Sequence, residues 1–209
     1  MTDDSTTTDR MSAAHMSPGH ALVLVRRELD ELIDGVLAAD LDPAGEQRGA
    51  LEAVTELIAG ADRVFVLGAG RSGLALGMTA MRLMHLGLDV HVVGEVTAPA
   101  IRRGDVLLTA SGSGTTAGIV RAAETAAEAG AGIAAFTTAQ GSPLAELATA
   151  LVVVPAADKL DRSGTASAQY AGSLFEQLVV VLGDAIFHAL WQRSGQTADE
   201  LWPHHANLE

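Results

Sequence analysis

The chain has no cysteine, which excludes disulfides, thiolate metal sites and cysteine nucleophiles. Aromatic residues make up only 3% of it, so the 48% hydrophobic content is carried by alanine, valine and leucine. Positive charge is scarce: the formal net charge is -13. Neither nucleic acid nor an anionic membrane surface is attracted by such a field, which argues against both as partners. A small anion can still bind, because local dipoles and a few cations suffice. Lys159 is the one lysine and the other cations are arginines. No uninterrupted apolar run approaches the ~20 residues that a membrane-spanning helix needs. The excess of apolar residues therefore points to contact between subunits, and an oligomer is expected. The N-terminus carries Asp3, Asp4 and Asp9 but no basic region followed by an apolar segment, so a cytoplasmic protein is expected.

With 209 residues, the chain can form one domain with a full core and helical extensions. Residues 1–18 are rich in Thr, Ser and Asp, without periodicity, and are expected to be a disordered tail. His15 and His20 belong to this tail and linker. Leu22, Val25, Leu29, Leu32, Ile33 and Val36 then recur at steps of three and four, one stripe of a helix. Asp42-Pro43 reads as an N-cap followed by proline at the first helical position, opening a second helix through Leu51, Val54, Leu57 and Ile58. Strands read at Arg63–Leu67, Val90–Val93, Asp105–Ala110, Ile133–Thr137 and Leu151–Val154 alternate with helical segments. That alternation predicts an α/β fold, a doubly wound five-stranded parallel sheet flanked by helices, with an N-terminal helical extension and ligands at the strands' C-terminal ends. Residues 19–60 would be the N-terminal helices, 61–190 the core and 191–209 a C-terminal tail, all in one domain. Ala156 to Gln169 reads as a functional loop, with Lys159 and Arg162 either covering the site or simply solvated. A long apolar helix follows from about Leu174 to Leu190, and Thr197-Ala198-Asp199-Glu200 is a capping box.

The organising stretch is Ser111-Gly112-Ser113-Gly114-Thr115-Thr116, between a buried strand and an alanine-rich helix. Helix N-termini leave backbone N–H groups unpaired, with about half a positive charge behind them. Gly112 and Gly114 let the backbone approach a ligand, and the hydroxyls add donors. One N-cap accounts for one hydroxyl; four hydroxyls and two glycines describe a phosphate cradle. Gly68-Ala69-Gly70-Arg71-Ser72-Gly73 fits the dinucleotide fingerprint G-x-G-x-x-G, with Glu95 where a ribose-binding acid would stand. Against that reading, Arg71-Ser72 crowds a turn that a pyrophosphate needs slim, the Ser111 loop is a second anion cradle, and little chain remains for a substrate domain. Arg71 and Ser72 instead face the Ser111 loop across one sugar-phosphate site.

These segments, with Met81-Arg82-Leu83-Met84-His85-Leu86-Gly87, Val92-Val93-Gly94-Glu95, Gly172-Ser173-Leu174-Phe175-Glu176-Gln177 and the ending His205-Ala206-Asn207-Leu208-Glu209, resemble the sugar isomerase (SIS) domain family. Within it they look most like the 6-phospho-3-hexuloisomerase branch, over about Gly19 to Glu209. The resemblance implies interconversion of D-arabino-hex-3-ulose 6-phosphate and fructose 6-phosphate, a step of the ribulose monophosphate route that fixes or detoxifies formaldehyde. It also implies a homotetramer, no metal, no organic cofactor, and hexulose-6-phosphate synthase as functional partner. The chain departs from that branch at Thr115, where a glutamate is common, and at Tyr170-Ala171, where a Pro-Met pair is. Another phosphosugar isomerase, or a sugar-phosphate-binding regulator without catalysis, are the alternatives.

Moving a ketone from C3 to C2 requires a base that reaches both carbons, donors for the developing enediolate and a clamp on the phosphate. Glu176 is either that base or the last residue of a capping box opened by Ser173; the resemblance favours the base. His205 is expected to shuttle oxygen-bound protons or open the cyclic sugar, and to dock on another subunit. His85 is a further catalytic candidate on a helix rich in Met and Leu. Phosphate contacts are expected from Ser72, Ser111, Ser113 and Thr116, with Arg71 as the charged one, and Glu95 is expected on a sugar hydroxyl. His91 and His188 are read as structural, and His204-His205 lacks a third ligand for a metal.

Overall fold

Five short runs rich in β-branched and other apolar residues form the sheet of the computed structural model, which describes residues 16–157, 161, 167–170 and 172–208. The strands are β1 (Val64–Gly68), β2 (Val90–Val92), β3 (Val106–Ala110), β4 (Gly132–Thr137) and β5 (Ala150–Val153). All pair in parallel, in the order β2-β1-β3-β4-β5. Helices precede or connect them: α1 (Pro18–Leu41), α2 (Ala50–Ala59), α3 (Gly70–His85), α4 (Ala117–Glu128), α5 (Pro143–Leu147), α6 (Ser173–Ser194) and α7 (Ala198–Leu201). Side chains alternate across the sheet. Val64, Val66, Val106 and Leu108 enter a core covered by α1, α2, α3 and α6, while Phe65, Leu107 and Ile133 enter a second core covered by α4 and α5. Both faces of a parallel sheet are thereby buried.

The strand order decides where a ligand can sit. From β1 the chain moves outward to β2, then crosses back so that β3 lies on the other side of β1. Gly68 and Ala110, the last residues of β1 and β3, are register partners. The turns that follow them leave toward opposite faces, which opens a crevice at the switch point.

At the other end of the same two strands, the Arg63 guanidinium forks onto Asp105, at 2.6 Å from Nη2 and 2.9 Å from Nε. Asp105 also accepts the Arg102 amide at 2.8 Å and is fully buried.

Three expectations change. Asp42-Pro43 does not open α2. Asp42 closes a local turn by accepting the Ala44 amide at 3.0 Å, and the helix begins at Ala50 after Gly49, which has a φ of 67°. The orphan Leu51 amide is satisfied from outside the helix, by Asp40 Oδ1 at 2.9 Å. Second, the start of the α1 stripe stays open: Leu29, Leu32, Ile33 and Val36 are buried in or packed on the core, whereas Leu22 is exposed. Third, α1 starts at Pro18 with Ser17 as N-cap, so His20 lies in its first turn. Within residues 1–18, those up to His15 lie outside the described residues, as do Lys159, Arg162 and Ala171.

α6 is long and apolar enough to cross a membrane by length and composition. Here it is the central helix of the larger core, where Leu174, Phe175, Leu178, Val179, Leu182, Ile186 and Leu190 are buried. It packs so closely on α3 that a Cβ at Gly183 would overlap the Thr79 side chain. After α6 the capping box forms as read, with Thr197 and Glu200 exchanging hydrogen bonds. The chain then folds back, and His204 Nδ1 donates to the His85 carbonyl at 2.7 Å.

Candidate active site

The crevice at the ends of β1 and β3 holds a cavity of ≈ 240 Å³. One wall is the start of α3, with Ala69, Gly70, Arg71 and Ser72; the other is Ser111, Gly112, Ser113 and Thr116; Thr138, Ala157, Gly172, Phe175 and Glu176 complete it. The turn from β1 into α3 is tight because both flanking glycines are needed. A Cβ on Gly68 would lie 2.7 Å from the Gly73 nitrogen. The fingerprint-like spacing thus serves close helix–strand packing, and the first amides of α3 face the crevice with the helix dipole behind them.

The opposite wall is held just as firmly. Gly114 donates to the Ser111 carbonyl at 3.0 Å, closing a turn. Gly114 has a φ of 62°, and a Cβ there would overlap Ser142 Oγ. The Gly112 carbonyl is pinned by three donors at the end of β4: Thr138 N at 3.0 Å, Thr138 Oγ1 at 2.8 Å and Thr137 Oγ1 at 3.1 Å. A trans peptide places the next N–H opposite that carbonyl. The Ser113 amide is therefore aimed away from β4, and Ser113 lines the cavity. Thr116 N-caps α4 without bonding the helix; its Oγ1 instead pairs with Ser111 Oγ at 3.0 Å. Thr115 bonds back to Ser113 Oγ at 3.0 Å and is not among the cavity-lining residues. Two helix starts converging on one crevice, with hydroxyls between them, make an anion site.

Glu176 enters from above. Gly172, in the left-handed conformation, precedes α6 and gives no side-chain cap. Ser173 Oγ donates to the Tyr170 carbonyl at 2.6 Å rather than to the helix, so the capping box that the sequence allowed does not form. Glu176 is free to face the cavity. Its Oε2 is ion-paired with Arg71 Nε at 2.6 Å. The carboxylate is 15% exposed and the guanidinium side chain 62%. A shielded carboxylate held by an open cation at the edge of an anion cradle is an arrangement that allows proton abstraction next to a bound anion.

Arg71, Ser72, Ser111, Ser113, Thr116 and Glu176 are thus brought together; three other candidates are not. Glu95 lines a separate groove with Phe65, Val93, Pro99 and Ile101, because β2 is the sheet's edge strand and its turn opens away from the switch point. Arg71 and His85 stand at opposite ends of α3, about 21 Å apart along its axis at 1.5 Å per residue. His205 stacks on His85, ring centroids 4.0 Å apart, and on Trp202 at 4.7 Å. These rings line a second cavity of ≈ 450 Å³ with Arg82, Asp184, Phe187 and Trp191. His85 is buried, and burial, followed by the charges of His205, Arg82 and His204, pushes its pKa below the usual histidine value. His91 lies 3.1 Å from Asp89, at the sheet edge. Among the described residues no cluster of three His, Asp or Glu side chains is placed to hold a metal ion.

Sequence reasoning missed Thr138, whose hydroxyl fixes the Ser111 loop, and Phe175, which packs on Gly112. Phe175 could have been found as the neighbour of Glu176. Nothing in sequence ties Thr138 to a loop some 26 residues earlier.

Known proteins resemble this chain over most of its length. Residues 57–181 match the SIS domain model. A 3-hexulose-6-phosphate isomerase of Mycobacterium gastri is 57% identical over 188 residues, covering 90% of this chain and 89% of that protein. The enzyme of the same name from Bacillus subtilis is 36% identical over 148 residues, 70% of this chain and 80% of its own. A Methanococcus jannaschii structure, from which a function of 3-hexulose-6-phosphate isomerase was inferred, superposes with a TM-score of 0.74 at 26% identity, covering 90% of this chain and 99% of that one. With the switch-point crevice, its two anion-binding helix starts and more than half the chain matched, this protein belongs to the SIS domain family, in the group that contains the 3-hexulose-6-phosphate isomerases.

Proposed function

We propose that the chain is an isomerase interconverting D-arabino-hex-3-ulose 6-phosphate and fructose 6-phosphate. The observation that carries this is the shielded Glu176 carboxylate facing a phosphate cradle across one crevice. The names of the relatives supply the substrate. The amides of Ser72 and Ser113 and the hydroxyls of Ser72, Ser111 and Ser113, with Arg71, hold the phosphate, and Thr116 orders the cradle through Ser111. That clamp sets C2 and C3 in register with the carboxylate. Glu176 takes the proton from C2 of the 3-ketose, and the electron pair forms the C2–C3 double bond of a cis-enediolate. The C3 oxygen gains a proton as the C2 hydroxyl loses one. Glu176 then returns its proton to C3, leaving the ketone at C2. The reverse reaction retraces these steps.

His85, at the far end of α3, and His205, stacked on it, lie too far from the crevice of their own chain to serve it, and we assign them to the site of a neighbouring subunit. The α3 face supports this assignment: Leu74, Met78, Met81 and Met84 form one stripe at helical spacing and all are exposed. A second copy covering that stripe would begin the homotetramer that the resemblance implies. The ribulose monophosphate route, a cytoplasmic location and hexulose-6-phosphate synthase as supplier of the substrate belong to the same reading.

The test couples fructose 6-phosphate formation to NADPH production, with D-arabino-hex-3-ulose 6-phosphate as substrate and arabinose 5-phosphate and sedoheptulose 7-phosphate as comparisons. Glu176→Gln is expected to lower kcat about a thousandfold while fructose 6-phosphate still binds. Turnover equal to the unsubstituted chain would remove Glu176 as base, and preference for another phosphosugar would reassign the substrate.

A further inference from the structure

The N-terminal helix carries a charged residue where its apolar stripe calls for a hydrophobic one. Glu28 falls between Val25 and Leu32 and is 8% exposed. Both of its carboxylate oxygens are engaged, and by residues about 140 positions away. Oε1 accepts the Ala168 amide at 2.8 Å; Oε2 accepts Ser167 Oγ at 2.8 Å and Gln169 Nε2 at 3.0 Å. Ser167 Oγ accepts the Gln169 amide at 3.0 Å, which ties the three residues into one knot. The Gln169 carboxamide then turns to α6, where its Oε1 accepts Gln177 Nε2 at 2.8 Å. Gln177 is the next residue after Glu176.

Stability alone does not account for a carboxylate in this place. Burying an ionised group is costly, and a well-packed apolar residue of similar volume is usually as good or better for folding. What the carboxylate adds is direction: three donors fix the backbone of 167–169 relative to α1. α6 needs such outside help. Its N-cap, Gly172, provides no side-chain bond, so the start of the helix takes its position from the segment before it.

We infer that Glu28 is a positioning residue for Glu176, holding the start of α6 through Gln169 and Gln177 so that the carboxylate faces the phosphate cradle. The inference rests on the isomerase reading above and adds a residue that never touches substrate. A shift of about 1 Å at a reacting group can cost on the order of a hundredfold in rate without altering the clamp. Substitution along this chain of bonds therefore acts on kcat and spares KM.

Glu28→Ala, Gln169→Leu and the double variant are assayed for kcat, KM and competitive inhibition by inorganic phosphate, with circular dichroism and thermal melting as fold controls. Each single variant is expected to lose about tenfold or more in kcat, with KM and phosphate inhibition within about twofold. The double variant is expected to be no slower than the slower single, since one chain of bonds is cut in either case. The inference is overturned if folded variants keep the kcat of the unsubstituted chain, or if the two losses multiply. Should Glu28→Ala fail to fold, Gln169→Leu alone decides, because that half-buried side chain can be lost without emptying the core. Absence of isomerase activity in the unsubstituted chain would instead strike the functional reading itself, which separates the two failures.

Discussion

Arg71 Nε stands 2.6 Å from Glu176 Oε2, joining the helix that starts the anion cradle to the helix that carries the proposed base. The two groups are unequal: the guanidinium is open to solvent and the carboxylate is not. A phosphate dianion entering the cradle can take up the arginine's remaining donors while Nε stays against Glu176, so under the proposed function one side chain would couple anion binding to the position of the base.

Replacing Arg71 with Gln is expected to raise both KM and the inhibition constant of inorganic phosphate about tenfold or more, because a charge-assisted contact to the dianion is lost. Arg71→Lys is expected to recover only part of this, since an ammonium cannot span two anions as a planar fork does. Phosphate inhibition unchanged in Arg71→Gln would show that the cradle works without it.

The two glycines of the Ser111 loop are predicted to differ. Gly114→Ala combines a φ of 62° with overlap of Ser142 Oγ, which N-caps α5, and is expected to cost about 2 kcal/mol of stability. At Gly112 a Cβ would only meet Phe175 at 3.6 Å, an ordinary contact. Gly112→Ala should therefore melt like the unsubstituted chain. Equal melting temperatures for the two variants would contradict this account of the loop.

Acid should loosen the far end of the sheet. Burial raises the Asp105 pKa, but the Arg63 fork and the Arg102 amide outweigh it and hold the carboxyl below its ordinary value. The unfolded chain then binds the proton first, so this contribution is intact above about pH 4 and fades as pH falls through the lower folded value. Asp105→Ala is expected to lose about 3 kcal/mol at neutral pH, where Arg63 is left without its buried partner. Urea denaturation at pH 7 and pH 3 checks it: the gap between the two proteins must shrink at the lower pH.

A second pH dependence should arise at the other end of α3. With its pKa pushed down by burial, His85 holds fewer protons folded than unfolded. Its contribution is complete above about pH 6.5, the ordinary histidine value, and declines as pH falls below it. His85→Phe keeps a ring to stack on His205 and removes the titration. Melting temperatures from pH 7.5 down to 5.5 should fall less steeply in that variant; parallel curves would assign the slope to other groups.

Residue order alone settled the class of architecture, since buried strands alternating with helices leave few ways to cover both faces of a parallel sheet. It also picked out the cradle, because small hydroxyl residues and glycines between a strand and a helix are a local signal. The second helix was misplaced for the same reason: Asp42-Pro43 is a valid local start, overridden by a turn that Asp42 closes on itself and by a cap lent from Asp40. Whether Glu176 would cap its own helix or face a ligand could not be read from Ser173 and Glu176, as both outcomes use the same spacing. In the fold the Ser173 hydroxyl turns to the Tyr170 carbonyl and Glu176 lines the cavity. Strand order brought the ends of β1 and β3 together and left Glu95 at the edge, while the length of one rigid helix separated His85 from Arg71. Glu28, Gln169 and Thr138 gained their partners only by long-range packing, which depends on where the folded chain returns and not on any neighbour in sequence.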